Sequence, residues 1–521
     1  MSFHRKKAIR SRNNNQAGIA TIEILIAFVV VILSITAVVG VVFGSQSMGL
    51  DALIYQEAQL KAQDLLEDTR ATARQAFSLV NPRSFAQDIY QVNLDVQTLP
   101  DFFTKKIVSR VTWLGEGNRN LNVQLASLVT NLDDLDGGDT CNSELLGDWQ
   151  NPQMVSYEFG RDILNDTSSG FPVTSIQAFQ HKLYVTVNND NGNNPGTFYI
   201  LDISDPTIMP VLLTPPLWDN SPVGAGLNAV AVDNGNYAYV ANGYGASFST
   251  CPQSVTCNQM QVIDISVNPP VVVKSYKVPG VTGSAGQGIG KSIFYKNGIV
   301  YLGLAKAGGA TGEFVVLDVG GGGAGGSPTN PILRGSYEID NGVNAIQVRG
   351  NYAYIASPNN EELKILDISD PTDPVRVGGF DAPLGGGNNG NGKSLYLVGD
   401  TLYLGRTLLN GDEFWVLNNT DPETTLPALG SKNIQNSGSN TSVNGMIIRD
   451  FLAFLITNES FQTWRIDNPS AISQYANPLI LPPGTGGGLQ GTATDCEGNY
   501  IFVGSQSSND KGYISVITGG P

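Results

Sequence analysis

The 521-residue chain is poor in the residues that most often carry chemistry. It has four cysteines, Cys141, Cys251, Cys257 and Cys496, and two histidines, His4 and His181. No two cysteines stand in a C-x₂-C pair, so a structural zinc site is not indicated. A Ser-His-Asp relay or a histidine metal cluster has almost nothing to be built from. Carboxylates are too numerous for any one pair to be singled out as a glycosidase dyad. Basic residues are also scarce, 30 Lys and Arg against 46 Asp and Glu, for a formal charge of −16. A surface of that sign repels nucleic acid and anionic lipid, so no nucleic-acid partner is expected. Long apolar runs are absent but for one, Ile24 to Gly44, 21 residues without charge or proline.

What is abundant is glycine, 60 residues, with many Asn, Ser and Pro beside it. That mixture supplies the φ values of tight turns and points to a β protein rich in them. The single apolar run is long enough to cross a bilayer as a helix. Arg5, Lys6, Lys7, Arg10 and Arg12 precede it, which would keep the leader in the cytoplasm and send the rest outward. Glu23 lies at the start of that run, where a charge costs at least about 2.5 kcal/mol and therefore usually has a partner.

A basic leader ending in Gly18, a hydrophobic Ile19 and a glutamate at the fifth position after the glycine resemble the class III signal of type IV pilins and pseudopilins. The resemblance implies prepilin-peptidase cleavage between Gly18 and Ile19, methylation of the new amino terminus, and pairing of Glu23 with the Ile19 amino group of a neighbouring subunit. Loss of residues 1–18 removes five basic residues and takes the charge from −16 to −21. The resemblance also implies other pilin subunits and the prepilin peptidase as partners, with the cytoplasmic membrane as the location before assembly.

The expected helix covers 19–75, its membrane half 19–44. In its second half Ile54, Ala58, Ala62, Leu65, Leu66 and Ala73 recur at three- and four-residue spacing. From 76 to 132 the period becomes alternating, with strands at Tyr90–Val96, Lys106–Trp113 and a third from Asn122. These make up the expected α+β pilin module, a long N-terminal helix on a small antiparallel sheet. Residues 133–150 read as an acidic linker. Its Asp133-Asp134-Leu135-Asp136-Gly137-Gly138-Asp139 run is a poor calcium loop because Leu135 interrupts the ligand alternation. No cofactor is otherwise indicated.

Residues 151–521 repeat. An aromatic residue inside an apolar strand recurs at Tyr184, Tyr239, Tyr301, Tyr354, Tyr403, Phe454 and Phe502, at separations of 55, 62, 53, 49, 51 and 48. Such a period is that of propeller blades. After it come Ile200-Leu201-Asp202-Ile203 and Ile365-Leu366-Asp367-Ile368, with versions at Val262–Ile265 and Val316–Val319, a worn one at Arg465–Asp467, and Asn418 replacing aspartate in the fifth unit. These segments resemble the LVIVD repeats of bacterial surface β-propellers. Recurrence once per unit, ahead of an Asp-Pro turn in the best-preserved copies, assigns these aspartates to turn geometry and not to catalysis.

The last unit lacks a fourth strand, and residues 151–160 match the fourth strands of other units, so the N-terminal segment is expected to close an all-β seven-bladed propeller. Closure brings Cys141 and Cys496 to one face, where a bridge would lock the ring. Cys251 and Cys257, six positions apart on the opposite face, most simply pair with each other, and two further connectivities stay open.

With no catalytic constellation, the expectation is a non-enzymatic protein. The expected function is a minor pilin that displays a propeller at the cell surface or filament tip for adhesion or ligand binding. The alternative is a pseudopilin-like component of a secretion or DNA-uptake machine. A membrane-anchored propeller enzyme comes third. The candidate contact surface is the face carrying the loops Asn188–Gly196, Gly245–Met260 and Gly303–Gly312.

Overall fold

A computed structural model describes residues 17–75, 80–98, 104–115, 118–130, 140–141, 145–166, 171–188, 197–214, 217–218, 226–233, 235–242, 258–282, 287–359, 361–383, 390–408, 411–434, 441–482, 490–507 and 511–521. Contacts divide the chain into two compact units. The first is 1–97 with 106–129, the second 98–105 with 130–521.

In the first unit a helix runs Ala17–Gln75 and a four-stranded antiparallel sheet follows, Arg83–Gln87, Tyr90–Thr98, Thr104–Gly115 and Arg119–Thr130 in chain order. Ala58, Ala62, Leu65 and Leu66 share one buried cluster with Tyr90, Val92, Leu94, Ile107, Val111, Trp113 and Val123. The strand Arg83–Gln87 is exposed along its whole length, so it carries no alternation.

The expected fold class is corrected. The chain is β nearly throughout, 56% strand against 11% helix. Among the described residues no helix is long and apolar enough to cross a membrane. The membrane span that defined the pilin module is therefore withdrawn, and so is the α+β pilin helix-and-sheet description.

The second unit is a ring of seven sheets, each a meander of four antiparallel strands lettered a to d from the centre outward. Blade 1 has Val173–Phe179, Lys182–Val187, Thr197–Asp202 and Val211–Leu212; blade 2 has Leu227–Val232, Tyr237–Asn242, Met260–Asp264 and Val271–Tyr276. Blade 3 has Gly290–Lys296, Ile299–Leu304, Phe314–Asp318 and Ile332–Tyr337; blade 4 has Ala345–Arg349, Tyr352–Ala356, Leu363–Asp367 and Val375–Phe380. Blade 5 has Asn391–Val398, Thr401–Leu408, Phe414–Asn418 and Ala428–Lys432; blade 6 has Gly445–Arg449, Leu452–Ile456, Ser460–Arg465 and Ser473–Gln474. Blade 7 takes Gln490–Gly498, Tyr500–Gln506 and Gly512–Gly520 from the end of the chain, and its d strand, Asp148–Glu158, from the beginning. Strands a pack side by side in blade order, and the a strand of blade 7 returns to that of blade 1. This is a propeller-like fold.

The recurrent aromatic residue is central to the packing. Tyr184, Tyr239, Tyr354, Phe454 and Phe502 are all buried in strands b, where they pack in the apolar layers between blades. Closure of the ring joins Asp148–Glu158 to Gly512–Gly520 by an antiparallel ladder, by the Ser156–Ser515 hydroxyl contact at 2.7 Å and by the Lys511–Glu158 ion pair at 2.8 Å. Cys141 is bonded to Cys496, their Cα atoms 5.2 Å apart across 355 residues of chain. Thr140–Cys141 runs parallel to the last a strand, and Asp148 opens the closing strand, so parts of the segment expected as linker belong to blade 7.

Candidate functional site

Each a strand begins at the face of the ring where the b–c loops and the d–a connections lie, because its first residues pair with the last residues of strand b. At that edge one position recurs in every blade: Thr174, Asn228, Lys291, Asn344, Lys393, Asn444 and Thr492. Each stands ten or eleven residues ahead of the recurrent aromatic residue, and all seven are half-buried. In blades 1, 2, 3, 5 and 7 the residue sits in a β-bulge, which lifts it out of the a–b register.

Five of the seven tie blades together. Thr174 Oγ1 donates to the Leu227 carbonyl at 2.5 Å, Asn228 Nδ2 to Gly290 at 2.7 Å, Asn344 Nδ2 to Gly392, Asn444 Nδ2 to Gly491 at 2.7 Å, and Thr492 Oγ1 to Val173 at 2.8 Å. In each case the acceptor is the residue just ahead of the ring position in the next blade. Blades 3 and 5 have lysine at this position, and there the following residue makes the bond. Ser292 Oγ donates to Val343 at 3.0 Å and Ser394 Oγ to Val443 at 2.7 Å. The belt is complete, and the two ammonium groups are left out of it. Burial lowers the Lys291 amine, and the Lys393 charge lowers it further, to about 8; burial alone lowers that of Lys393.

Behind the belt a second position recurs, just before strand c: Gln259, Glu313, Glu362 and Glu413, all buried. Each side chain accepts the backbone N–H two residues past the end of strand d, from Val278, Ile339, Ala382 and Ile434, at 2.8 to 2.9 Å. Glu362 also receives Arg406 Nη1 at 2.6 Å, both side chains being 1% exposed. Arg406 further donates from Nη2 to Pro383 and from Nε to Asp412, and lies over the Trp415 ring. Burial pushes the Glu362 carboxyl up, while the Ala382 N–H and Arg406 pull it down.

On the opposite face the aspartates after strand c close turns. Asp202, Asp264 and Asp367 accept the N–H of Ser204, Ser266 and Ser369, and Asn418 does the same for Thr420. Asp318 is more elaborate. Fully buried, it gathers the N–H groups of Gly320, Gly322, Ala324 and Gly326. Burial pushes its carboxyl up, but the four donors outweigh burial and hold it at about 2.

Gly18, Ile19 and Glu23 lie on helical backbone, and their side chains are outside the described residues. Cys251, Cys257 and the Asp133–Asp139 run are also outside them, as are 189–196 and 245–257 of the proposed contact loops. Gly303–Gly312 is described, and Gly308–Gly309 pairs with Val281–Thr282 on the b–c loop face. His181 occupies an exposed a–b turn at φ 61° and faces Glu497 at 3.3 Å. Among the described residues no group of three or more His, Cys, Asp or Glu is placed to hold a metal. Sequence reasoning missed the ring lysines and the buried glutamates. Their signal was present: Gly-Lys-Ser occurs at 290–292 and at 392–394, each with its lysine ten residues ahead of the aromatic.

The family described as LVIVD repeat matches residues 342–382, a stretch that holds all of blade 4. No curated protein matches the chain. Two of the solved structures similar to it carry a provisional assignment. One is a provisionally assigned 6-phosphogluconolactonase from Bacteroides fragilis NCTC 9343, at 10% identity, 72% of this chain, 91% of that one and a TM-score of 0.42. The other, also provisionally assigned as a 6-phosphogluconolactonase, is from Bacteroides uniformis ATCC 8492, at 11% identity, 72% of this chain, 92% of that one and a TM-score of 0.43. Likeness at this level carries no argument about activity. The chain thus contains an LVIVD repeat within a mostly-β, propeller-like fold.

Proposed function

We propose that the chain is an exported, non-enzymatic propeller that works outside the cytoplasm as a binding module, displayed at the cell surface for adhesion or ligand capture. The observation that supports this most is the Cys141–Cys496 bond, which joins the linker side of the ring to its last blade. Disulfides of this structural kind persist in oxidising compartments. The Gly18-Ile19 junction with Glu23 four residues on supports export with cleavage after Gly18. The contact surface is the b–c loop face, because the belt opens there. Propellers host many functions, so the fold itself does not choose the ligand.

Surface protease treatment of intact cells tests display. The expected result is release of propeller fragments from intact cells, with a cytoplasmic marker protein left whole. Protection of the propeller until the cells are lysed would overturn it.

A further inference from the structure

We propose that Lys291 and Lys393 form an oxyanion-binding site at the b–c loop end of the ring's central channel, one that takes a phosphate or carboxylate group carried on a small molecule.

The argument begins with what the other ring residues do. Threonine and asparagine at this position spend their donor on the carbonyl of the next blade. Lysine could make that bond as well, but in both lysine blades an adjacent serine makes it instead. The substitution is therefore double, and it occurs twice, in blades 3 and 5, on either side of blade 4. Its effect is to keep the inter-blade tie while freeing a cation.

Those cations are held at a cost. Both side chains are half-buried, and the charge acting on Lys291 is another cation. Among the described residues neither ammonium has a carboxylate within ion-pair distance, although acidic residues outnumber basic ones in the chain. The Lys291 Nζ lies over the d–a connection of blade 4, 3.3 Å from where a Cβ on Gly342 would stand. The absence of a side chain at Gly342 is what lets the amine lie there. Half-buried like charges without a counter-ion repel one another and destabilise the fold unless a ligand neutralises them. An oxyanion does so with charge-assisted hydrogen bonds, which are about twice as strong as neutral ones. The carbonyl oxygen of the Asn228 or Asn344 amide, left over when the amide nitrogen ties the belt, is an acceptor for hydroxyl groups on the rest of the molecule.

The site belongs to the ring and does not depend on surface display, so either proposal can fail alone. The test is calorimetric titration of the full chain with inorganic phosphate and with malonate, at low salt and neutral pH. Parent, Lys291→Gln, Lys393→Gln, the double variant and an exposed control, Lys277→Gln, are compared. Saturable binding of at least one anion is expected, weakened about tenfold or more in the double variant and unchanged in the control. Melting of each variant without anion is measured alongside, and the lysine variants are expected to melt no lower than the parent, because the repulsion is relieved. A second readout is acylation of each lysine followed by mass spectrometry. Lys291 should react faster than Lys277, and the bound anion should slow it. Absence of binding to the parent, or equal binding by parent and double variant, overturns the site. Phosphate binding without malonate binding assigns the site to phosphate groups, and the reverse to carboxylates.

Discussion

Replacement of Asp318 by asparagine removes one charge and almost no volume, so it isolates what the carboxylate does. Two backbone N–H groups reach each oxygen, Gly320 and Gly322 on one, Ala324 and Gly326 on the other. Asparagine can satisfy one pair with its carbonyl but turns an NH₂ toward the other. Two donors on the part-buried turn then lose their acceptor, which costs roughly 1–3 kcal/mol. The charge adds a pH signature. The folded value is about 2 against an ordinary 3.8. A depressed acid stabilises the fold fully above its ordinary value and loses that contribution as pH falls toward the folded one. The difference corresponds to about 2 kcal/mol, lost between roughly pH 4 and pH 2. Urea midpoints followed by tryptophan fluorescence across that range measure both effects. Asp318→Asn should be less stable at neutral pH and its curve flatter below pH about 4. Asp202→Asn, where the carboxylate serves the Ser204 turn at the surface, should change little. Parallel pH curves for parent and Asp318→Asn would refute the four-donor account.

Cys141→Ser with Cys496→Ser opens a loop of 355 residues, for which chain entropy sets a loss of about 6 kcal/mol; the urea midpoint should fall and reductant should no longer shift it. Arg406→Ala leaves Glu362 charged and unpaired between blades 4 and 5, at a cost of roughly 3–5 kcal/mol, whereas Glu362→Gln with Arg406→Met should recover much of the loss; thermal melts of the three chains decide this. Glu338 is pushed up to about 7 by burial and by sharing a hydrogen bond with Glu313. The folded state therefore keeps a proton that the unfolded chain loses above about pH 4.5, so stability declines as pH rises from there to about 7. Glu338→Gln should flatten that decline, read as the difference in midpoint between the two ends of the window.

The repeat was legible because the same physics recurs seven times. An aromatic residue in each b strand and a turn-closing aspartate after each of the better-preserved c strands leave a period that survives heavy divergence between blades. The closing strand was legible for the same reason, since Asn151–Phe159 looks like a d strand. Where the pattern was silent, the cause is local. Arg83–Gln87 is an edge strand exposed on both faces, so it shows no alternation. Lys291 and Lys393 occupy bulges, where the strand period breaks and a polar residue reads as loop. The buried glutamates look like surface residues because their partners are backbone N–H groups contributed from the end of the next strand. The apolar run at 24–44 had the opposite effect. Its length suggested a membrane span and a pilin module, and no helix of the described residues meets that demand.

The measurement closest to the central claim is the amino-terminal sequence of the native protein in the fraction sheared from intact cells. The account predicts a chain that begins at Ile19, found in that fraction with the Cys141–Cys496 bond formed. A chain that begins at Met1 and stays with the cells, both cysteines reduced, would contradict export and display together.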